Sequence, residues 1–392
     1  MKIVQVNVTC GKGSTGKICL AVSQLLNQKG IENYILYSSG TTDYPQAIKY
    51  QDTPYAKRQA LKSRVFGNYG FNSTRSTKKL ISEIEKINPD VIHLHNIHSH
   101  NCNLEMFFKY LKTANKKVFW TFHDCWPVTG YCPNFDMVGC EKWKTECSKC
   151  VQRKEYSWFF DKSKKLHDKK KKLFSGVDMT IVTPSKWIAS VVKQSFLKDY
   201  PVKVIYNGID LDIFKPTPSD FRNKYNLEDK FVILGVAFDW SVRKGIDVFV
   251  ELSKRLDQRF KIVLVGTNGN IDKQLPSNIL SIHKTQNQSE LAQIYSACDV
   301  FVNPTREEAL GLTNIEANAC GTPVITFNTG GSPECVDKDS GIVVAKNDID
   351  AIEKQVISLC ENNTFSKENC INKAKEFDKN QKFREYIDLY NC

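Results

Sequence analysis

The densest chemistry in the sequence lies between Thr305 and Val324, TREEALGLTNIEANACGTPV, where seven residues separate Glu308 from Glu316. A helix opening between them leaves Glu308 in the preceding loop and Glu316 a turn or two inside, both facing a ligand at the helix N-terminus. Carboxylates placed there accept hydrogen bonds from sugar and ribose hydroxyls. Paired glutamates are common on helices. The A-x-A-C-G-T-P-V-I run that follows is more specific: small residues let a helix pack closely on the next strand, and Gly321 with Pro323 turns the chain into it. A second motif, Gly11–Lys17 (GKGSTGK), matches most of a P-loop, but Ile18 stands where Ser or Thr would hold magnesium. It reads as a glycine-rich turn opening a helix whose free amides, at Gly13, Ser14, Thr15 and Gly16, approach a phosphate. A plain structural turn and a true P-loop NTPase are the rival readings.

Fourteen cysteines are present, and four of them, Cys132, Cys140, Cys147 and Cys150, fall within 19 residues. Their number and the C-x-x-C end fit a structural zinc site with four thiolate ligands. Four free thiols or an iron–sulfur cluster are the alternatives. The single cysteines, from Cys10 to Cys392, read as small apolar fillers. His93, His95, His98 and His100 form HLHNIHSH after one apparent strand, and His123-Asp124 ends another. Strand alternation splits the first four between opposite faces, which argues against zinc there and for a ligand-lining loop at His95 and Asn96. Asp210/Asp212 and Asp337/Asp339 match D-x-D but lie in a linker and a loop, where metal binding is not expected.

These residues follow short apolar runs that read as strands: Lys2–Val8, Asn33–Tyr37, Pro89–His95, Lys117–His123, Met179–Pro184 and Val202–Tyr206. After a linker at Asn207–Pro218 come Phe231–Val236, Phe260–Val265, Ile279–His283, Val300–Asn303 and Pro323–Phe327. Helical spacing lies between them, first at Lys17–Lys29, and Asn362–Lys382 also reads as helical. Such alternation gives two doubly wound α/β domains that bind ligands beyond the carboxyl ends of their strands.

The 392 residues allow two or three domains, and 41% hydrophobic with 25% charged residues describes a globular chain. No apolar run approaches the ~18 residues of a membrane span. Met1–Val8 reads as a strand, not a signal peptide, so a cytoplasmic location is expected. The charge of +12 favours anionic partners. Seven lysines and one aspartate fill Lys162–Lys172, KSKKLHDKKKK. This is a solvated helix face or a contact for an anionic membrane surface; with no nucleic-acid module beside it, nucleic acid is not expected as a partner.

The E-x7-E with its ACGTPVI tail resembles the nucleotide-sugar site of retaining GT-B glycosyltransferases, specifically glycosyltransferase family 4. Val204–Asp210 (VIYNGID) with Phe214 and Pro216 is similar to that family's interdomain signature, Tyr206 replacing its proline. Arg243-Lys244-Gly245 resembles its phosphate-binding basic motif, and Asn328–Glu334 its second glycine-rich loop. The arginine often found five residues before the phosphate lysine is Asp239 here, leaving Arg243 or Arg306 as the second cation. HLHNIH and FHDCWPxTGYC resemble a bacterial polysaccharide-assembly branch. The resemblance implies a GT-B fold, two Rossmann-like domains facing a central cleft. Residues 1–206 would form the acceptor-side domain, with a Cys-rich insertion at about 125–155, and 207–376 the nucleotide-sugar domain. Residues 377–392 would return to the first domain.

The implied enzyme is a retaining hexosyl-type glycosyltransferase. It moves a sugar from a UDP- or GDP-sugar to a glycan or lipid-linked glycan hydroxyl in capsule or O-antigen assembly, peripheral on the cytoplasmic face and without a catalytic cofactor. Donor binding falls to Gly13, Ser14, Thr15, Gly16, Arg243, Lys244, Glu308, Leu312, Thr313 and Glu316. His123, Glu308 and Lys244 would be catalytic, and His95, Asn96 and Asp124 would line the acceptor side. A non-catalytic nucleotide- or glycan-binding protein on the same fold is the alternative.

Overall fold

A computed structural model describes every residue except Ser99, Asn363 and Cys392; Cys392, read above as an apolar filler, therefore lies outside the described residues. The chain divides into two compact units, Met1–Tyr206 with Phe383–Cys392, and Asn207–Lys382. Among the described residues no helix is long and apolar enough to cross a membrane.

The first unit carries seven parallel strands: β1 (Lys2–Asn7), β2 (Glu32–Tyr37), β3 (Ala47–Lys49), β4 (Val91–Leu94), β5 (Lys117–Thr121), β6 (Met179–Thr183) and β7 (Val202–Val204). They are ordered β3-β2-β1-β4-β5-β6-β7. All four residues of β4 are buried, as expected for a parallel strand covered on both faces. Register pairs Gln5 on β1 with His93 on β4. The helix Lys379–Asn391 closes this unit, burying Phe383, Tyr386, Ile387 and Tyr390 at helical spacing against Ile3, Ile18, Val22 and Val91.

The second unit has six parallel strands: β8 (Phe231–Val236), β9 (Phe260–Val265), β10 (Ile279–Ile282), β11 (Val300–Asn303), β12 (Val324–Phe327) and β13 (Gly341–Val344). Their order is β10-β9-β8-β11-β12-β13. The winding reverses between neighbours β8 and β11, so the loops leaving these strands diverge and open the crevice where such sheets take ligands.

The lysine run does not form one free cationic face. It lies on the helix Ser163–Phe174, whose period turns Leu166, His167, Lys170 and Phe174 inward. Lys170 is fully buried and donates to the carbonyls of Trp126 (2.7 Å) and Thr129 (2.9 Å). Lys169 pairs with Glu105 at 2.6 Å, Lys164 with Glu146, and Lys162 donates to Asn68. Only Lys165, Lys171 and Lys172 are exposed without an ion pair among the described residues.

Candidate functional site

In the second unit the site grows from the two diverging loops. After β8 the chain makes a one-turn 3-10 helix, Val242–Lys244, before the helix Ile246–Arg255. After β11 it runs to Gly311, which at φ 102° starts the helix Leu312–Ala319. Lys244 from the first loop and Glu308 from the second meet, Nζ to Oε2, at 2.7 Å. Their side chains keep 24% and 21% of their surface, so the pair remains open to a ligand. A third loop locks Glu308 in place. Gly330 stands at φ 56°, and a Cβ there would lie 1.7 Å from the Glu308 carbonyl oxygen. Only glycine allows that approach, which lets the Gly331 amide donate to the same oxygen at 3.3 Å.

Of the two candidates for a second cation, Arg306 is already committed. Its guanidinium is bidentate to Asp247 (2.8 Å twice) and also donates to Asn347 and to the Val242 carbonyl. Its amide donates to the Arg243 carbonyl at 2.9 Å. Arg306 thus clamps the turn that presents Lys244. The Arg243 side chain has no hydrogen bond or ion pair among the described residues, which leaves it available to an anion. Leu312, Thr313 and Glu316 are half-buried along one stripe of the helix Leu312–Ala319. Glu316 accepts from the Tyr295 hydroxyl at 3.2 Å. Burial, then the Glu316 charge, pushes the tyrosine pKa far up, so that hydroxyl stays a donor. Sequence reasoning missed Thr329 and Ser332. Both hydroxyls are buried without a hydrogen-bond partner in the loop over Glu308, a state that calls for a ligand or water. Their place in TGGS was the available signal.

In the first unit the turn before the helix Gly13–Gln28 packs tightly: a Cβ on Gly16 would stand 2.5 Å from Thr9 Oγ1. Gly13 and Ser14 are exposed at the helix start, and Thr15 Oγ1 accepts from Asn7 at 3.3 Å. Ile18 is 5% exposed and belongs to the core. The P-loop reading fails there, because an apolar core side chain cannot hold magnesium.

Beyond β4 and β5 the histidines form a directed chain. Gln5 donates its amide to the Cys19 carbonyl (3.0 Å), which turns its oxygen toward His95 Nε2 at 3.1 Å. His95 must carry its proton on Nε2. Burial holds its pKa well below the usual value, so the ring is neutral and Nδ1 is an acceptor. His123 Nε2 lies 2.9 Å from that Nδ1 and therefore bears the proton. His123 is also neutral, burial lowering its pKa to about 4, so its lone pair sits on Nδ1. His95 is 1% exposed with both nitrogens engaged, so it reaches a ligand only through His123. Asn96 is half-buried, its amide donating to Asn7 Oδ1 at 3.2 Å. Asp124 binds His98 (3.1 Å) and the Trp126 amide (2.8 Å). His93 is occupied on both nitrogens by Tyr390 (2.6 Å) and Thr121 (2.8 Å), which closes the histidine run to a metal. In the D-x-D linker Asp210 pairs with Lys379.

The four clustered cysteines line one cavity of about 230 Å³. Among the described residues, however, no three His, Cys, Asp or Glu side chains are gathered closely enough to hold a metal ion.

Comparison with known proteins covers both units. Residues 16–213 match the family described as Glycosyltransferase Family 4, and 219–377 match Glycosyl transferases group 1. The putative colanic acid biosynthesis glycosyl transferase WcaC of Escherichia coli K12 is 25% identical over 89% of this chain and 88% of its own. Among solved structures, a sucrose-phosphate synthase of Thermosynechococcus elongatus superposes with a TM-score of 0.73 at 18% identity, covering 100% of this chain and 98% of that one. The HepE protein of Anabaena in complex with UDP-glucose gives 0.69 at 16%, covering 100% and 99%. At these identities the solved structures establish a shared fold.

Proposed function

The chain belongs to glycosyltransferase family 4, with the two parallel-sheet units of the GT-B fold, and from that premise we propose that it is a retaining transferase moving a hexose from a UDP- or GDP-sugar to a hydroxyl of a glycan or lipid-linked glycan in bacterial surface polysaccharide assembly. The pairing of Lys244 with Glu308 at the reversal of the second sheet carries this reading. Breaking a glycosyl–diphosphate bond builds negative charge on the leaving group, and preformed cations stabilise it in place. Lys244 and the unpaired Arg243 are such cations. Glu308 accepts hydroxyls of the sugar and Glu316 those of the ribose. Thr329 and Ser332 supply their unpartnered hydroxyls to phosphate oxygens, and the amides of Gly13–Gly16 a further anion contact. His123 receives a sugar hydroxyl at Nδ1, while Asn96 and Asp124 border the acceptor. The UDP-glucose complex of HepE supports the donor class, and the name of WcaC the polysaccharide setting.

Glu316→Ala is expected to leave a folded protein whose affinity for UDP or GDP falls by about 1–3 kcal/mol, the loss from removing one partner of a polar contact. Isothermal calorimetry reads this directly, and unchanged affinity for both nucleotides rejects the ribose assignment. A thermal-shift screen of UDP- and GDP-sugars on the native chain then identifies the base.

For the Cys-rich segment the proposal is one structural zinc ion that would draw Cys132, Cys140, Cys147 and Cys150 together, because their side chains as they stand are not gathered closely enough to hold one. The shared cavity supports it, as does the Gly130 amide donating to Cys147 Sγ (3.3 Å). Burial, then the neighbouring cysteines, push Cys132 up to about 12 and Cys147 up to about 11, so a cation is what makes them thiolates. Protein prepared without chelator should carry about one equivalent of zinc, since a closed site takes one ion. Absence of metal together with full thiol reactivity in the native state rejects the site.

A further inference from the structure

Three consecutive aromatic side chains, Trp158, Phe159 and Phe160, stand 52%, 66% and 50% exposed. They are fixed against the end of the helix Thr53–Phe66: the Trp158 amide donates to the Arg64 carbonyl at 2.7 Å, and the Tyr131 hydroxyl bridges the carbonyls of Gly67 and Phe160. Leu61 and Phe66 on that helix are likewise about half exposed. A lone apolar residue at the surface is ordinary, but five large ones on adjoining segments mark a binding surface.

Its charge is one-sided. Lys57, Arg58, Lys62 and Arg64 are the exposed cations of the helix, and no acid occurs from Thr53 to Ser82. The flanking acids are largely occupied: Asp52 caps the helix through the Tyr55 amide, and Asp161 accepts from the Cys150 and Ser163 amides. Glu155 remains, with Arg153 and Lys154 beside it.

We propose that this surface docks the protein onto an anionic lipid bilayer, the Trp158–Phe160 side chains seated in the interface and the helix cations on the lipid phosphates. Aromatic side chains beside lysine and arginine are the composition that binds such interfaces. Nucleic acid is the other polyanion to consider. Its single strands stack successive bases on aromatic faces set along a cationic groove. Here Trp158 and Phe159 stand at 89° to each other, and Phe159 and Phe160 at 64°. The surface meets the lysine run at its first residue, Lys162, whose ammonium lies 5.6 Å from the Phe160 ring centroid, and it is independent of the donor site.

Co-sedimentation of the full chain with vesicles tests this. At low salt the protein should bind vesicles of equal parts phosphatidylcholine and phosphatidylglycerol and ignore phosphatidylcholine alone. Binding should vanish near about half-molar salt, where screening is strong. Trp158→Ser with Phe159→Ser should weaken partitioning roughly tenfold or more, as each aromatic forfeits its apolar burial. Lys57→Gln with Lys62→Gln should also weaken it, whereas Lys171→Gln with Lys172→Gln should bind as the native chain does. All these side chains are exposed, so thermal melting should not change. No binding at low salt, equal binding to neutral vesicles, or an aromatic variant that binds normally overturns the proposal. So does an aromatic-dependent dimer that ignores vesicles, or preferential binding of a single-stranded oligonucleotide.

Discussion

Replacing Lys244 with alanine should lower kcat/KM for the nucleotide-sugar by roughly a hundredfold to a thousandfold, the range seen when one preorganised charge-stabilising group is removed from an active site. Two losses act together. The cation that would face the growing diphosphate charge is gone, and Glu308, which it neutralised at 2.7 Å, becomes an unpaired carboxylate beside that charge. The second loss is separable. In Glu308→Gln the site keeps its shape without the carboxylate charge, so adding Lys244→Ala to that variant should lower activity less than it does in the native chain. Non-additivity of this kind is the signature of residues acting through one another. Steady-state kinetics with donor and acceptor, beside nucleotide affinity by calorimetry, give both terms. An activity within a few-fold of the native value in Lys244→Ala would falsify its place at the diphosphate.

The second large effect is acid lability of the first unit. His93 and His123 are held neutral by burial, their pKa values pushed down to about 3 and about 4, and His95 is lowered in the same way. In the unfolded chain each returns to about 6.5. Between those values the unfolded state binds more protons than the folded one, so stability rises with pH and is lost as pH falls. The loss begins near pH 6.5 and continues toward pH 4. From pH 6.5 to 5, His93 and His123 together should remove roughly 3 kcal/mol, a large share of a typical domain's stability. Asp124, lowered by its His98 contacts against the upward push of burial, adds a loss of the same sign at lower pH. Urea titrations at several pH values should show this slope, and His93→Gln should flatten it. A stability constant from pH 7 to 5 would contradict the neutral, buried histidines.

Both sheets were legible because eleven of their strands are β-branched or apolar runs bounded by turn residues. The edge strands β3 and β13 were not: three half-buried residues, or four opening on a glycine, carry no period. The Glu308–Glu316 spacing was readable because both residues belong to one loop and the helix it enters. The Lys244 partnership spans 64 positions and follows from the sheet order alone. For the same reason Arg306 looked like a free cation, since nothing near it in sequence announces Asp247. Lys170 is a different case. Its inward position follows from the spacing of Leu166, Lys170 and Phe174, but the surrounding lysines made the whole segment read as exposed. The proton positions along Gln5, His95 and His123 needed three strands in register before any of them could be assigned.

The return of the chain to its first unit also shapes how that unit comes off the ribosome. Residues 1–206 emerge with the seat for Phe383, Tyr386, Ile387 and Tyr390 uncovered, and they stay so until all of 207–382 has been translated. At ordinary elongation rates this leaves several seconds to tens of seconds in which Ile18, Val22 and Val91 lack part of their cover. His93 meanwhile lacks Tyr390 and protonates more readily. The nascent first unit is therefore a natural client for chaperones, while the second unit holds its own continuous stretch of sequence and can fold as soon as it is made. Vectorial synthesis thus completes the second unit before the first, the reverse of their order in the gene.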